Sequence, residues 1–534
     1  MSLTRVPLIP EDFLSVSVLA LIAGALAAVY LWTSTRSYFR RRYALVKFAR
    51  SLPGPPTLPL LGNALEFAVN PEGKSSRVPL KNIIIIYYNP SFFPHEETFD
   101  RVIDIIKNNE KTFRFWLGPQ LVVVLTDPRD YEIILGSPKA SYKDPIYRMM
   151  EPAVGQGLVS GSGPRQRTHR KIVMPMLNGR ALTTYLKCFN IHSHYCRKLM
   201  EDTIQHGEFD VLPFLTNCTT DMMLETIFGI SGAAQRGGYK RFVHYSDRIY
   251  EFIHLRMFKI WLHPDFIFER TEMGEEQRTG LKIIHGIVDQ AIARKKREHV
   301  ALARGAITEE RPRVMLLEQM IDHMMKNQSM DDLELRYQIY TVYIAAQDTI
   351  AVISSFTLLM LAMHPGIQEK VREEVVEVLG GSEDVEEVHL SDFKYLERVI
   401  RETLRLFPIA PLMVRRTTGV IELESCTIPE NCSVVIAAFR THRNEEYWDH
   451  PEEFNPDRFL PENCNKRHPF SYIPFSGGLR GCVGQKFAII CLKTIIANLV
   501  RSCRFETSVK MEEIKLKMDI SIRSRCGYRM KIIK

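Results

Sequence analysis

No two cysteines stand in C-x-x-C spacing. Ten of them are scattered through 534 residues. That excludes a zinc ribbon and a dithiol redox motif, and it is unlike the disulfide framework of a small secreted domain. The thiols read as reduced, in a cytosolic setting. Neither an internal repeat nor a low-complexity linker is visible, so a solenoid and a disordered chain are both set aside. A strong charge excess is missing too: 70 Lys and Arg face 62 Asp and Glu, a net charge of +8. Such a balance does not point to nucleic acid. It leaves room for a basic patch that meets an acidic protein or an anionic membrane. With 45% hydrophobic and 25% charged residues, the composition is globular.

One segment lacks charge altogether. Phe13 to Thr35, "FLSVSVLALIAGALAAVYLWTST", is a run of 23 uncharged residues, long enough to cross a hydrocarbon core of about 30 Å as a helix. Tyr30 and Trp32 near its end suit a membrane interface. Arg36, Arg40, Arg41, Arg42, Lys47 and Arg50 follow it, whereas only Arg5, with Glu11 and Asp12, precedes it. The positive-inside rule then leaves the following chain in the cytosol. A cleaved signal peptide would carry its charges before a shorter apolar core, and a mitochondrial transit peptide would be amphipathic. Residues 1–35 are therefore expected to be a membrane anchor. Residues 36–62 form a basic collar and a proline-rich hinge with Pro53, Pro55, Pro56 and Pro59. The prolines make this stretch stiff, as a rigid spacer or as an ordinary loop. Residues 63–534 then make one large domain.

Within that domain the patterning is mainly helical. The longest candidate runs from about Ser329 to His364, with Ser329 and Asp332 in a capping-box pattern and His364-Pro365 at its end. It is apolar on most sides and should be buried. Gln347 and Asp348 at its centre argue against a second membrane span. Another helix covers about Asp392 to Phe407, stopped by Pro408, with Leu396, Val399, Ile400, Thr403 and Leu404 at helical spacing. Near the C-terminus Ile514, Leu516, Met518, Ile520 and Ile522 alternate, which predicts a strand. The fold class is thus mainly α with small β-sheets, α+β.

The stretch "PFSGGLRGCVGQKF", Pro474 to Phe487, holds one cysteine among four glycines. A thiolate needs a cation or backbone donors to compensate it. Gly478, Gly481 and Gly484 let the main chain turn its N–H groups toward one point, and Arg480 brings a positive charge. A buried inert thiol is the alternative. Zinc would need three more ligands, and with His468 and Cys491 as the nearest candidates the spacing fits no zinc pattern.

Phe475, Gly478, Arg480, Cys482 and Gly484 resemble the haem-binding signature F-x-x-G-x-R-x-C-x-G of the cytochrome P-450 family. The resemblance implies the fold of that family, a single haem domain behind an N-terminal transmembrane helix. It implies that Cys482 is the axial ligand of the haem iron, bound as a thiolate that favours O–O cleavage. Arg480 would then pair with a haem propionate and Phe475 would shield the sulfur, beside Gly478 and Gly484. "ETLR" looks like the E-x-x-R of the family's K helix, and "FNPDRF" supplies the third member of a structural network, Glu402–Arg405–Arg458. "AAQDTI", Ala345 to Ile350, is similar to the family's A/G-G-x-D/E-T-T/S. Thr349 can bond back to the carbonyl of Ala345 and loosen the helix turn, and Asp348 and Thr349 become the proton-delivery pair. Ala346 replaces the usual glycine and Ile350 the usual hydroxyl residue. "RTHRKIVMPML" resembles the C-helix segment W-x-x-x-R-K and gives Arg170 as a propionate contact, with Gln166 where the tryptophan stands. Arg415 matches another propionate contact, and Arg416 beside it could substitute.

"HPDFIFERT" and "THRNEEYWDHPEEFNPDRF" look like the family-4 clan of microsomal forms, which includes many insect enzymes. Several members carry an ester-forming glutamate where Ala345 stands, so the expected cofactor is haem b, iron protoporphyrin IX, without an ester link. "YEFIHLRMFKIWLHPDFIFE", Tyr250 to Glu269, would lie by resemblance near the substrate entrance and the membrane surface, or else form a core helix. The implied activity is a monooxygenase of the endoplasmic reticulum membrane. It would insert one oxygen atom into a fatty acid, steroid, terpenoid or xenobiotic, with electrons from NADPH-cytochrome reductase and cytochrome b5 as a further partner. A docking contact is expected around Lys486 and Lys493. Two rivals stay open: an isomerase or dehydratase acting on a peroxide without a reductase, and a non-catalytic membrane-anchored haem or lipid binder.

Overall fold

The computed structural model describes residues 11–57, 62–63, 97–177, 180–204, 207–305, 315–328 and 330–533. It divides the chain into two compact units, Met1–Gly54 and Pro55–Lys534. The first contains one long helix, α1 (Glu11–Ser51). The boundary expected at residue 35 falls inside this helix. No helix breaker occurs between residue 35 and Pro53, so the collar continues the same backbone.

In the second unit, α2 (Thr98–Lys107) leads into β1 (Thr112–Leu117) and β2 (Gln120–Leu125). A short β3 (Tyr142–Lys143) precedes α3 (Gly163–Met176), α4 (Arg180–Glu201), α5 (Leu212–Thr226) and α6 (Lys240–Phe258). Then follow α7 (Glu272–Ala303), the central α8 (Asp332–Met363) and α9 (Lys394–Leu406). Strands β4 (Met413–Arg416) and β5 (Ser433–Ile436) complete a five-stranded sheet, spatial order β1-β2-β5-β4-β3. Only the β2–β5 pair is parallel. Helix α10 (Gln485–Val500) follows the cysteine loop.

Helix α8 is buried along most of its length and packs against α5, α9 and α10. Among the described residues it alone is long and apolar enough to cross a bilayer, yet its apolar stretch is enclosed by protein. The polar residues at its centre were a sound argument against a span. Its N-cap is Asp331, whose side chain accepts from the Glu334 N–H at 2.7 Å. Ser329 lies outside the described residues.

The alternating C-terminal segment is a hairpin and not one strand. Strands β6 (Leu516–Met518) and β7 (Ile522–Ser524) pair antiparallel with Met518 opposite Ile522. Directly opposed residues share a face, as do residues four apart in one strand. Alternation alone could not reveal the turn. It is closed by the Asp519 N–H donating to Ser521 O at 3.0 Å.

Candidate active site

A cavity of about 1190 Å³ opens between the five-stranded sheet, α3, α6, α8 and the cysteine loop. Two of its lining residues stand out by their exposure. Cys482 is exposed although the body of the protein surrounds it. Ala345 is exposed at the middle of a helix that is otherwise buried or half-buried there. Both surfaces open into the same cavity, which is therefore lined by a free thiol and a bare helix turn.

The cysteine loop is held by its own backbone. The Cys482 N–H donates to Phe475 O at 2.9 Å. Burial pushes the Cys482 thiol up, while the Gly484 N–H and the Arg170 charge pull it back. Gly484 is thus the backbone donor aimed at the sulfur. Gly478 works differently from expectation: it does not line the cavity. Its φ is +61°, and a Cβ there would lie 2.0 Å from Leu135 O. A glycine is required because the loop presses on the backbone after β2, not because it faces the thiol.

Beside the exposed Arg148, four cations line the cavity: Lys143, Arg170, Arg415 and Arg480. The Arg170 Nη1 donates to Gly481 O at 2.6 Å. Arg480 donates to Ser141 O, Gly161 O and Val159 O. Arg415 donates to Val414 O and to Ser476 Oγ. Lys143 and Arg415 are direct cross-strand partners on β3 and β4, a like-charge pairing that destabilises a sheet. Burial pulls the Lys143 ammonium well below its ordinary range, with Arg415 and Arg480 adding to the effect. It draws the Arg480 guanidinium down to about 10, again with Arg415 contributing. Among the described residues no carboxylate pairs with these four. Such a cluster calls for an anionic ligand. Arg416 points elsewhere, to Ser433 Oγ at 3.0 Å, and does not line the cavity.

On α8 the Thr349 hydroxyl donates to Ala345 O at 2.7 Å, the back-bond that loosens a helix turn. Asp348 is buried and ion-paired to Arg523 of β7. Arg523 also reaches Asp247 at 2.6 Å. Burial raises the Asp348 carboxyl above its ordinary range, and Arg523 opposes it. The three departures, Ala346, Ile350 and Gln166, line the same cavity, and the last two are buried.

Glu402 and Arg405 are fully buried and joined by two bonds of 2.8 Å. Arg405 also donates to His442 O, Pro451 O and Glu453 O. Arg458 Nε lies 3.3 Å from Glu402. Sequence reasoning missed the residue that ties this cluster to the cysteine loop. His442 packs with Nδ1 3.3 Å from Arg405 O, and its Nε2 accepts from the Ile473 N–H at 2.9 Å. Burial, with Arg405 and Arg443, lowers its pKa to about 3, so it is neutral with Nδ1 as donor. Its only signal was its place in "THRNEEYWDH".

The Cytochrome P450 family model matches residues 78–528. The chain belongs to the cytochrome P450 family. It is 31% identical over 512 residues to cytochrome P450 4c3 of Drosophila melanogaster, covering 93% of this chain and 91% of the relative. It is 30% identical to cytochrome P450 4V2 of Mus musculus over 522 residues, 96% of this chain and 94% of that one. The human protein of that name matches at 30% over 526 residues, again 96% and 94%. Insect and mammalian family-4 proteins thus both resemble it. The helical body with small sheets is the fold of this family, and P450s are haem-thiolate monooxygenases built on haem b. The residues here fit that group: an accessible thiol, an uncovered helix turn and unpaired cations open into one large, mostly apolar cavity.

Proposed function

We propose that this enzyme is a membrane-anchored monooxygenase that oxidises an extended hydrophobic substrate. The observation that carries the reading is the shared cavity of Cys482 and Ala345. Cys482 would ligate the haem iron as thiolate, with Phe475 and the Gly484 N–H beside the sulfur. Arg170, Arg415 and Arg480 would hold the propionates, and Lys143 joins them. Ala345 offers only a methyl group, so no ester to the haem forms. When bound, the haem supplies dioxygen activation.

The remaining chemistry belongs to the chain. Thr349 holds a hydroxyl at the loosened turn of α8; while its proton stays on Ala345 O its oxygen accepts from a water, and on turning away it can donate that proton. Asp348, the neighbouring acid, replenishes that proton from the Arg523 side. Glu402, Arg405, Arg458 and His442 hold the cysteine loop still.

Substrate would lie among Val102, Ile106, Phe115, Met149, Ile344 and Leu412, apolar residues of the same cavity. The entrance is supported by His263 and Asp265, which line the cavity, next to Phe266 and Ile267, which are exposed. Exposed apolar residues at a pocket mouth suit contact with lipid. The anchor is Phe13–Thr35, the membrane that of the endoplasmic reticulum, and the catalytic domain cytosolic.

Electrons would come from NADPH-cytochrome reductase, with cytochrome b5 as a second donor. The expected docking face needs revision. Lys493 is buried on α10, and its Nζ donates to Leu390 O at 2.7 Å and to Glu397 at 2.6 Å. Lys486 beside the cysteine loop is exposed, as are Arg167 and Lys171 on the helix of Arg170. These three carry the attraction to an acidic partner. The test is NADPH consumption by the holoenzyme with reductase and a panel of fatty acids, steroids and terpenoids. Reductase-dependent formation of an oxygenated product supports the reading. A product formed from a lipid peroxide without reductase would overturn it.

A further inference from the structure

A second cluster of ligand-type side chains lies outside the cavity. Cys188 and His192 are four residues apart on α4, adjacent on one face, and Glu225 stands in the last turn of α5. Their ligand atoms lie within 4.8 Å of one another. Cys188 and His192 are buried, and Glu225 is partly exposed. None of the three lines the large cavity.

The histidine is the telling member. Its Nε2 is buried and faces Glu225 Oε1 at 3.1 Å, out of line for a good hydrogen bond. Its Nδ1 sits 3.3 Å from the Gln235 amide nitrogen, while the Gln235 Oε1 is buried and unpartnered. Turning that amide over is a free choice at the level of heavy atoms. It lets Oε1 accept from an Nδ1–H and leaves Nε2 as a bare lone pair. In that tautomer a cation between Nε2 and Glu225 Oε1 takes the place of the proton that the other tautomer puts there. Asp221 completes the surroundings: its Oδ2 is 4.0 Å from Nδ1, and its oxygens accept from the Ala234 and Gln235 N–H groups. A carboxylate and an amide behind a histidine are the usual backing of a metal ligand.

We propose that Cys188, His192 and Glu225 bind a thiophilic divalent cation of the zinc type, with water as the fourth ligand. Tetrahedral zinc bonds of 2.0–2.3 Å separate the ligands by about 3.3–3.8 Å, a small contraction that the partly exposed Glu225 side chain can supply. Binding releases the Cys188 thiol proton, so affinity rises with pH. The ion joins α4 to α5. From there, Cys188 reaches Met222 O at 3.8 Å, and Met222 Sδ is 3.7 Å from Cys491 of α10. A small cleft of about 160 Å³, lined by His192, Asp221 and Gln235, adjoins the site.

The test uses tag-free, haem-loaded enzyme stripped with a chelator and titrated with Zn²⁺ and, separately, Co²⁺. The expected result is one tight equivalent of Zn²⁺, a rise in Tm, and a thiolate-to-cobalt charge-transfer band. Cys188→Ser should abolish that band and His192→Gln should weaken Zn²⁺ at least tenfold, with the haem spectrum unchanged in both. Glu225→Ala, at a partly exposed position, provides a third variant should the buried ones not fold, and it should weaken Zn²⁺ equally. Absence of saturable binding, or equal binding by the three variants that fold, would overturn the proposal.

Discussion

Asp348, in the middle of α8, is ion-paired to Arg523 of the C-terminal hairpin, 175 residues away in sequence. The pair ties the distal helix to the last strands of the chain. Burial raises the Asp348 carboxyl, Arg523 restrains it, and its Oδ2 has no hydrogen-bond partner. The acid at the cavity is thus buried, poised and held from one side.

Removing the partner leaves an uncompensated buried carboxylate. Arg523→Gln should cost about 3–5 kcal/mol in chemical denaturation. With the restraint gone, the Asp348 carboxyl rises further and titrates at higher pH. The pH profile of coupled turnover should shift alkaline in this variant. An unshifted profile would separate Arg523 from proton delivery.

Thr349→Ala removes the hydroxyl that donates to Ala345 O. NADPH consumption should continue while product falls about tenfold or more and hydrogen peroxide appears, in line with the usual weight of a positioned proton donor. Thr349→Ser should retain coupling. Equal peroxide yield from wild type and Thr349→Ala would remove Thr349 from its role.

Glu402 makes two 2.8 Å bonds with Arg405 at complete burial. Glu402→Gln keeps the shape but leaves a buried guanidinium without its counter-charge, a loss of about 3–5 kcal/mol. Poor haem retention and early thermal unfolding should result. Haem content is the readout, because the network meets the cysteine loop through His442 and Ile473.

His442 gives a pH prediction. Its pKa in the folded protein is about 3, against an ordinary 6.5. The folded state refuses a proton that the unfolded state accepts. Its contribution is therefore complete above pH 6.5 and is lost progressively as pH falls toward 3, by at most about 4–5 kcal/mol. Protonating Nε2 also removes the acceptor of the Ile473 N–H. Denaturation midpoints measured through that window should fall in the wild type and fall less in His442→Asn. An identical slope in both would assign the acid sensitivity elsewhere.

Much of the site was legible because its chemistry is local. The F-x-x-G-x-R-x-C-x-G loop, the E-x-x-R turn and Asp348–Thr349 each lie within a few residues, so spacing alone brought them forward. What escaped depends on contacts between distant segments. His442 acts only through Arg405 and Ile473, and Arg523 only through Asp348 and Asp247. Gly478 was noticed for the wrong neighbour, since its close approach is to Leu135. Lys493 looked like an exposed cation, but tertiary packing buries it against Glu397. The C-terminal alternation was real, yet a hairpin and a strand share it. Cys188 drew no separate reading, because His192 and Glu225 converge on it only where α4 and α5 pack.

The central claim is that Cys482 presents a thiolate to haem iron inside this cavity. It is tested by reducing the purified holoenzyme under carbon monoxide. The account predicts a strongly red-shifted Soret band in the wild type and its loss in Cys482→Ser. A wild type without that band, or a Cys482→Ser variant that keeps it, would contradict the account.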